Sequence, residues 1–247
     1  MSLSTLFALW LTAAAAVPDV AEIVRRTRET LAQETVGMVC RLAMVAIQGD
    51  GDGKPENDIR SEIEETHGPG RHIERTVLHA SRNGKDTTAE ARQKEAKRRA
   101  DRQAGKDRGP GGRRFGSDAN DLSPFSVERA ADHRFDLLRQ ETLWGRPAYV
   151  VKVSALKTKE TSANGTVWID AEHFVPLKGE YTLAKLPRFV TWLKVQTQHV
   201  PFAGGTAAPS LLKIDGAGGV PLFRKTFTST MRWTGCHRGR AASPPSP

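Results

Sequence analysis

Seven histidines and a run of carboxylates are the residues with the chemistry to hold a metal or move a proton. The histidines stand at 67, 72, 79, 133, 173, 199 and 237, and none falls in an H-E-x-x-H or comparable ligand spacing. They are expected as exposed loop histidines, with no metal. Asp50, Asp52, Glu56 and Asp58 suggest calcium, but Lys54 and Pro55 take the places of the third ligand and the required glycine of an EF-hand loop. A solvated hairpin loop is expected there. The sequence lacks G-x-S-x-G, a P-loop and any G-x-G-x-x-G ahead of a helix, the usual carriers of nucleophilic, phosphoryl and dinucleotide chemistry. The run Asp215-Gly216-Ala217-Gly218-Gly219 is expected as a turn between two strands. The expectation is therefore a protein that is not an enzyme, with no catalytic residue and no cofactor. The five tryptophans, at 10, 144, 168, 192 and 233, are expected to pack on sheet.

What remains informative is the alternation of apolar and polar residues. Side chains alternate across a strand, so Tyr149, Val151 and Val153 share one face, with Val150 and Lys152 on the other. Val167 and Ile169 oppose Thr166, Trp168 and Asp170 in the same way. One face is apolar throughout.

The elements that carry this face follow from turn residues. Residues 18–32, with Pro18 and Asp19 at the start, suit a short amphipathic helix. Residues 35–48 suit a strand, and 60–66 and 73–81 a hairpin around His67-Gly68-Pro69-Gly70. Asp86-Thr87-Thr88 caps a helix through Glu90 to about Ala104, which has almost no apolar face and should be solvated. Residues 124–131 suit a second short helix. Beyond it come strands at 135–143 and 148–153 about a Gly145-Arg146-Pro147 turn, at 166–170 opened by Asn164-Gly165, and at 174–183, 193–200, 210–214 and 220–233. Strands at that spacing predict one antiparallel meander.

Residues 1–16 form an uncharged apolar run closing on Ala14 and Ala16, the outline of a cleaved signal peptide, which implies an exported, periplasmic chain, soluble after cleavage. Residues 17–240 are then one domain, and the Pro- and Ser-rich 241–247 a disordered tail. The net charge of +9 is local: Lys85 to Arg114 holds eleven basic residues against five acidic, a net +6, inside a basic helix and loop insertion at about 85–119. Without interleaved aromatics this stretch does not suit nucleic acid. Its candidate partner is an anionic membrane surface, met through Lys94, Lys97, Arg98, Arg99 and Arg102. Cys40 and Cys236 are open to two readings, a bridge between the first long strand and the end of the last, or free thiols.

The segments Gly145-Arg146-Pro147-Ala148-Tyr149-Val150-Val151 and Gly165-Thr166-Val167-Trp168-Ile169-Asp170, followed by Phe174 to Glu180, resemble bacterial outer-membrane lipoprotein-sorting proteins of the LolA/LolB-like superfamily. Weaker likeness continues at Pro187 to Val190 and Leu222 to Lys225. The resemblance implies an α+β fold: a strongly curved antiparallel β-sheet, or half-barrel, with short helices over the concave face and an apolar cavity for acyl chains. Tyr149, Val151, Val153, Val167, Ile169, Phe174, Phe189 and Leu193 are the residues expected to line it. The implied role is a periplasmic carrier or chaperone for the acyl chains of lipoproteins or lipids, in lipoprotein sorting and outer membrane biogenesis. The alternatives are a lipid- or lipoprotein-sensing regulatory module with an envelope partner protein, and an envelope hydrolase.

Overall fold

A computed structural model describes residues 18–33, 35–69, 72–104, 123–126, 129–159, 162–202, 205–220 and 223–239. The expected leader, the tail and the insertion from 105 onward lie outside the described residues.

Asp19 opens the first helix, α1 (Val20–Ala32), by accepting the Glu22 N–H at 2.7 Å, so one of the donors that a helix start leaves unpaired is satisfied. Val20, Ile23, Val24, Thr27 and Leu31 recur at helical spacing. Ile23 and Val24 are buried, which at about 1.5–3 kcal/mol per side chain is what pins a helix this short to the sheet.

Among the described residues eleven strands follow: β1 (Met38–Gly49), β2 (Pro55–His67), β3 (Ile73–Arg82), β4 (Lys85–Asp86), β5 (His133–Leu143), β6 (Arg146–Ala155), β7 (Ala163–Asp170), β8 (Pro176–Leu183), β9 (Val190–Pro201), β10 (Ala207–Val220) and β11 (Phe223–Arg238). The second helix, α2 (Thr88–Gln103), returns over β3. All strands pair antiparallel in one open sheet ordered β4-β3-β2-β1-β11-β10-β9-β8-β7-β6-β5. Two meanders thus meet where β1 pairs β11, with Met44 opposite Met231. There Cys40 and Cys236 form a disulfide across the seam, which decides between the two readings of the cysteines.

Several local expectations change. Residues 124–131 form turns and a 3-10 turn at Ala130–Asp132 in place of an α-helix, and 127–128 lie outside the described residues. The turn before β6 is Trp144-Gly145, with Arg146 and Pro147 already in the strand, and Asn164-Gly165 lies within β7. The glycines of 215–219 lie inside β10, not in a turn. Gly216 faces Phe227 across the ladder, and a Cβ there would sit 2.3 Å from the ring, so the missing side chain makes room for an aromatic one. His133 and His199 are buried strand residues, contrary to the loop expectation. His133 accepts the Ala163 N–H on Nε2 at 3.0 Å, which leaves Nδ1–H to donate to the Arg129 carbonyl at 2.9 Å.

Candidate functional site

Residues paired across β1, β2 and β3 stand in rows on the helix-bearing face of the sheet. Leu42 pairs with Ile63, which pairs with Val77; Met44 pairs with Ser61 and Ser61 with Ala80; Ile59 pairs with Arg82. On the other side of β1, Met231 lies opposite Met44 and Trp233 opposite Leu42. Apart from Ser61 and Arg82 these rows are apolar, because strand parity puts every second residue of each strand on this face.

Above the rows lies α2, and its facing residues are of another kind. Glu90, Ala91, Lys94, Glu95, Lys97, Arg98 and Asp101 follow helical spacing toward the sheet, and Ala91 is the one apolar side chain among them. The helix is held by polar ties. Asp86 accepts the Thr88 N–H at 2.8 Å, Arg92 donates to the Val77 and Leu78 carbonyls at 2.9 and 3.2 Å, and Arg99 donates to the Arg75 carbonyl at 3.4 Å. The expected solvated helix therefore packs on β3, with Glu95 buried, and does so without an apolar stripe. Short alanine and long charged chains cover this floor incompletely: Leu42, Val77 and Ala80 are buried, while Met44, Ile59, Ile63 and Met231 are only partly so. A half-open groove of about 780 Å³ remains, within the range of about 300–1,000 Å³ usual for small-molecule sites.

The groove's charges are unequally matched. Glu90 is paired with Lys94 at 2.5 Å, an interaction that holds the Glu90 carboxyl below its ordinary range, and Glu95 meets Arg98 at 3.5 Å. Lys97 lines the groove with no ion pair among the described residues, and Arg82 acts on Glu90 only at a distance, beyond ion-pair contact. One row further along, Glu65 is buried on the same face between Cys40 and Arg75. It accepts from Arg75 Nε at 2.7 Å and from the Trp233 indole N–H at 2.5 Å, and a carboxylate taken out of water needs such donors. Of this node, Arg75 lines the groove, while Glu65 lies opposite Cys40 of the disulfide. Parity with Ile59 and Ile63 puts Glu65 on the apolar face in the sequence alone. Its partners 10 and 168 residues away have no local signal.

The residues expected to line a cavity divide. Tyr149, Val151, Val153, Val167, Ile169, Phe174 and Leu193 are all buried in one apolar cluster with Ile23 and Val24 of α1. Tyr149 and Phe174 stack at 6.2 Å, the Arg26 guanidinium lies 4.6 Å from the Phe174 ring centroid, and Thr30 donates to the His173 carbonyl at 3.1 Å. Phe189 does not join them. It is 56% exposed in the turn before β9, outside the strand alternation, at a φ of 68°. Of the cations expected on a membrane-facing helix, Lys94, Lys97 and Arg98 line the groove and Arg99 reaches β3. The side chain of Arg102 lies outside the described residues.

A second polar cluster closes the β7–β8 turn. Asp170, Glu172 and His173 lie close enough to share an ion, but Arg146 already sits among them, 2.5 Å from Asp170 and 3.1 Å from His173 Nδ1. Asp170 also accepts the backbone N–H groups of Glu172 and His173 at 3.1 and 2.7 Å. Burial raises the Asp170 carboxyl, yet the Arg146 and His173 hydrogen bonds outweigh it and hold the group below its ordinary range. The arrangement is a turn lock whose charge is met by a guanidinium.

No family model matches the chain, and no curated protein matches it in sequence. Among solved structures it is similar to a LolA superfamily protein from Nitrosomonas europaea, at 11% identity over 92% of this chain and 96% of that one, with a TM-score of 0.39. It is similar to a domain described as that of an outer membrane lipoprotein-sorting protein from Vibrio parahaemolyticus, at 13% identity over 91% and 95%, with a TM-score of 0.42. It is also similar to MucB in its complex with MucA from Pseudomonas aeruginosa, at 10% identity over 86% and 93%, with a TM-score of 0.27. Among the described residues no helix is long and apolar enough to cross a membrane.

Proposed function

We propose that this chain is a non-catalytic, periplasmic carrier that holds an acyl chain in the groove beneath α2. One observation carries the reading: an apolar floor of Leu42, Met44, Ile59, Ile63, Val77 and Met231 lies under a helix with no apolar side chain larger than Ala91 to cover it. Each methylene moved from water onto that floor contributes about 0.8 kcal/mol, so a chain of a dozen carbons has ample driving force. The polar end of the ligand would lie at the rim, beside Arg82 and Lys97. Curvature of the sheet into a half-barrel would wrap the floor around such a chain. The Tyr149 cluster is the floor's counterpart under α1, and it would take a ligand only with α1 displaced.

The test is binding of a fluorescent fatty acyl probe to the purified chain, with Ala91→Trp as the variant that fills the groove. The native chain is expected to bind, and Ala91→Trp to bind at least about tenfold more weakly, because the indole takes the volume of several methylenes. Equal binding by both, or none by the native chain, refutes the groove. A sensing role would use the same groove and require in addition an envelope protein that associates with the chain only when it is loaded or only when it is empty. A hydrolase would instead turn over an ester or glycoside from a broad substrate panel.

A further inference from the structure

At the far end of the sheet from the β7–β8 turn, the β8–β9 turn and the adjoining ends of β9 and β10 put apolar side chains into water. Phe189 is 56% exposed, Trp192 48% and Val220 45%. They belong to one place. The Gly219 N–H donates to the Phe189 carbonyl at 2.7 Å, and Trp192 lies opposite Ala217 on the outer face of the β9–β10 ladder. The chain maintains this exposure at a cost. Phe189 is held at a positive φ of 68°, a region unfavourable to a bulky residue, and the approach that holds it depends on Gly218, where a Cβ would sit 2.4 Å from the Phe189 carbonyl oxygen. Phe174, at a φ of 56°, turns its ring into the core, so the outward setting of Phe189 belongs to its place in this turn and not to the positive φ alone.

The surrounding charge names the partner. The Arg188 guanidinium lies 4.6 Å from the Phe189 ring centroid, and Arg188, Lys194 and Arg224 are exposed with no ion pair among the described residues. The neighbouring acids are already engaged: Asp215 by Lys213 and Thr228, Glu56 by Lys225, and Asp50 by backbone N–H groups of its own turn. Asp52, in the turn beside Arg224, is the exception, so the positive field is set mainly by Arg188 and Lys194. Aromatic rings beside unpaired cations match the interface of an anionic bilayer, where rings sit at headgroup depth and cations meet lipid phosphates.

We propose that this tip docks the protein on an anionic membrane surface, with Phe189 and Trp192 entering the headgroup layer and Arg188 and Lys194 against lipid phosphate. The surface is separate from the groove and from the exposed side of α2. The proposal does not rest on the acyl-carrier reading, because docking and loading are measured apart.

The experiment is co-sedimentation of the whole chain with vesicles of phosphatidylglycerol and phosphatidylcholine, compared with phosphatidylcholine alone. Native protein is expected to partition onto the anionic vesicles. Phe189→Ser with Trp192→Ser should weaken partitioning about tenfold or more, and Arg188→Gln about fivefold. Brominated lipid should quench native tryptophan emission, and Trp192→Phe should remove that quenching. All these side chains are exposed, so thermal melting should be unchanged and will reveal any variant that misfolds. The proposal is overturned if the native chain ignores anionic vesicles. It is equally overturned if the tip variants partition as the native chain does while Lys94→Gln, Lys97→Gln and Arg98→Gln together abolish partitioning. Loss of acyl-probe binding in vesicle-free solution would refute the carrier reading and leave the dock standing.

Discussion

Beneath α1 the sheet meets Ile23 and Val24, and its apolar residues close into a cluster in which Val151, Val167 and Ile169 have no exposed surface. Beneath α2 the same face of the same sheet meets Ala91 and a ring of charged side chains, and a groove remains. The strands are alike in both regions, so what differs is the covering helix. An inner face is sealed when the helix brings apolar volume at helical spacing, and left open when it brings long polar chains that extend toward water. The first region holds the molecule together and the second leaves apolar surface for something else.

Separating the two regions at their seam should have the largest effect. The Cys40–Cys236 bridge spans 196 residues of sequence, and on the chain-entropy model a loop of that length is worth about 5 kcal/mol. Cys40→Ser with Cys236→Ser is expected to lower the unfolding free energy by that order, read as a fall in the urea midpoint at unchanged slope. If unfolding then becomes two transitions in place of one, the bridge is what couples the regions. Truncating one isoleucine on each side tests the contrast directly. Ile23→Ala, at a fully buried site, should cost about 3–4 kcal/mol, and Ile59→Ala, half-buried in the groove floor, about 1. Equal losses in chemical denaturation would mean the groove is packed after all.

A titration distinguishes the regions by their tolerance of charge. Burial pushes His199 down to about 4, and its Nδ1–H bond to the Pro176 carbonyl at 3.2 Å only partly opposes this. The unfolded chain takes up the proton near 6.5 and the folded chain only near 4. Stability is therefore full above pH 6.5 and falls as the pH drops toward 4, by at most about 3 kcal/mol. His199→Gln should flatten that part of the stability profile, and an unchanged slope assigns it to other groups. The smallest stability effect belongs to the groove rim. Lys97→Ala should change stability by less than about 0.5 kcal/mol, as exposed substitutions do, while weakening an anionic acyl probe about fivefold. A variant that lost stability but not binding would reverse the roles given to the two regions.

The packed region was the more legible one in sequence. Period-two alternation in Tyr149-Val150-Val151-Lys152-Val153 is a local signal, and Tyr149, Val151 and Val153, with Val167, Ile169, Phe174 and Leu193, lie in the buried cluster with α1, while Phe189 does not. Phe189 escaped the pattern because it stands in the turn before β9, where strand alternation does not apply. The open region was harder to read. Leu42, Met44, Ile59 and Ile63 alternate within their own strands, but a groove exists only through what α2 fails to supply, and no local pattern encodes a shortfall. The long β10 was hidden for a similar reason. Gly216 and Gly218 signal a turn by composition, and the Phe227 ring and Phe189 carbonyl that occupy their missing side-chain volume come from β11 and from the turn before β9. Leu138, which alternation puts on the face opposite Leu137, is 50% exposed, a large apolar side chain on the outer face that the adjacent Leu-Leu run does not distinguish from a core residue.

The pairing of β1 with β11 has a bearing on how the chain reaches this state. The first strand to be synthesised waits for the last, so hairpins β1–β2–β3 and β5 to β10 can form by local steps while one side of β1 presents unpaired amide and carbonyl groups. Joining ends so distant raises the contact order and makes seam closure the expected slow step of folding. During that interval the nascent protein is at its most prone to aggregation, and a refolding experiment should find its rate limited by mutations along this seam and indifferent to those in α2.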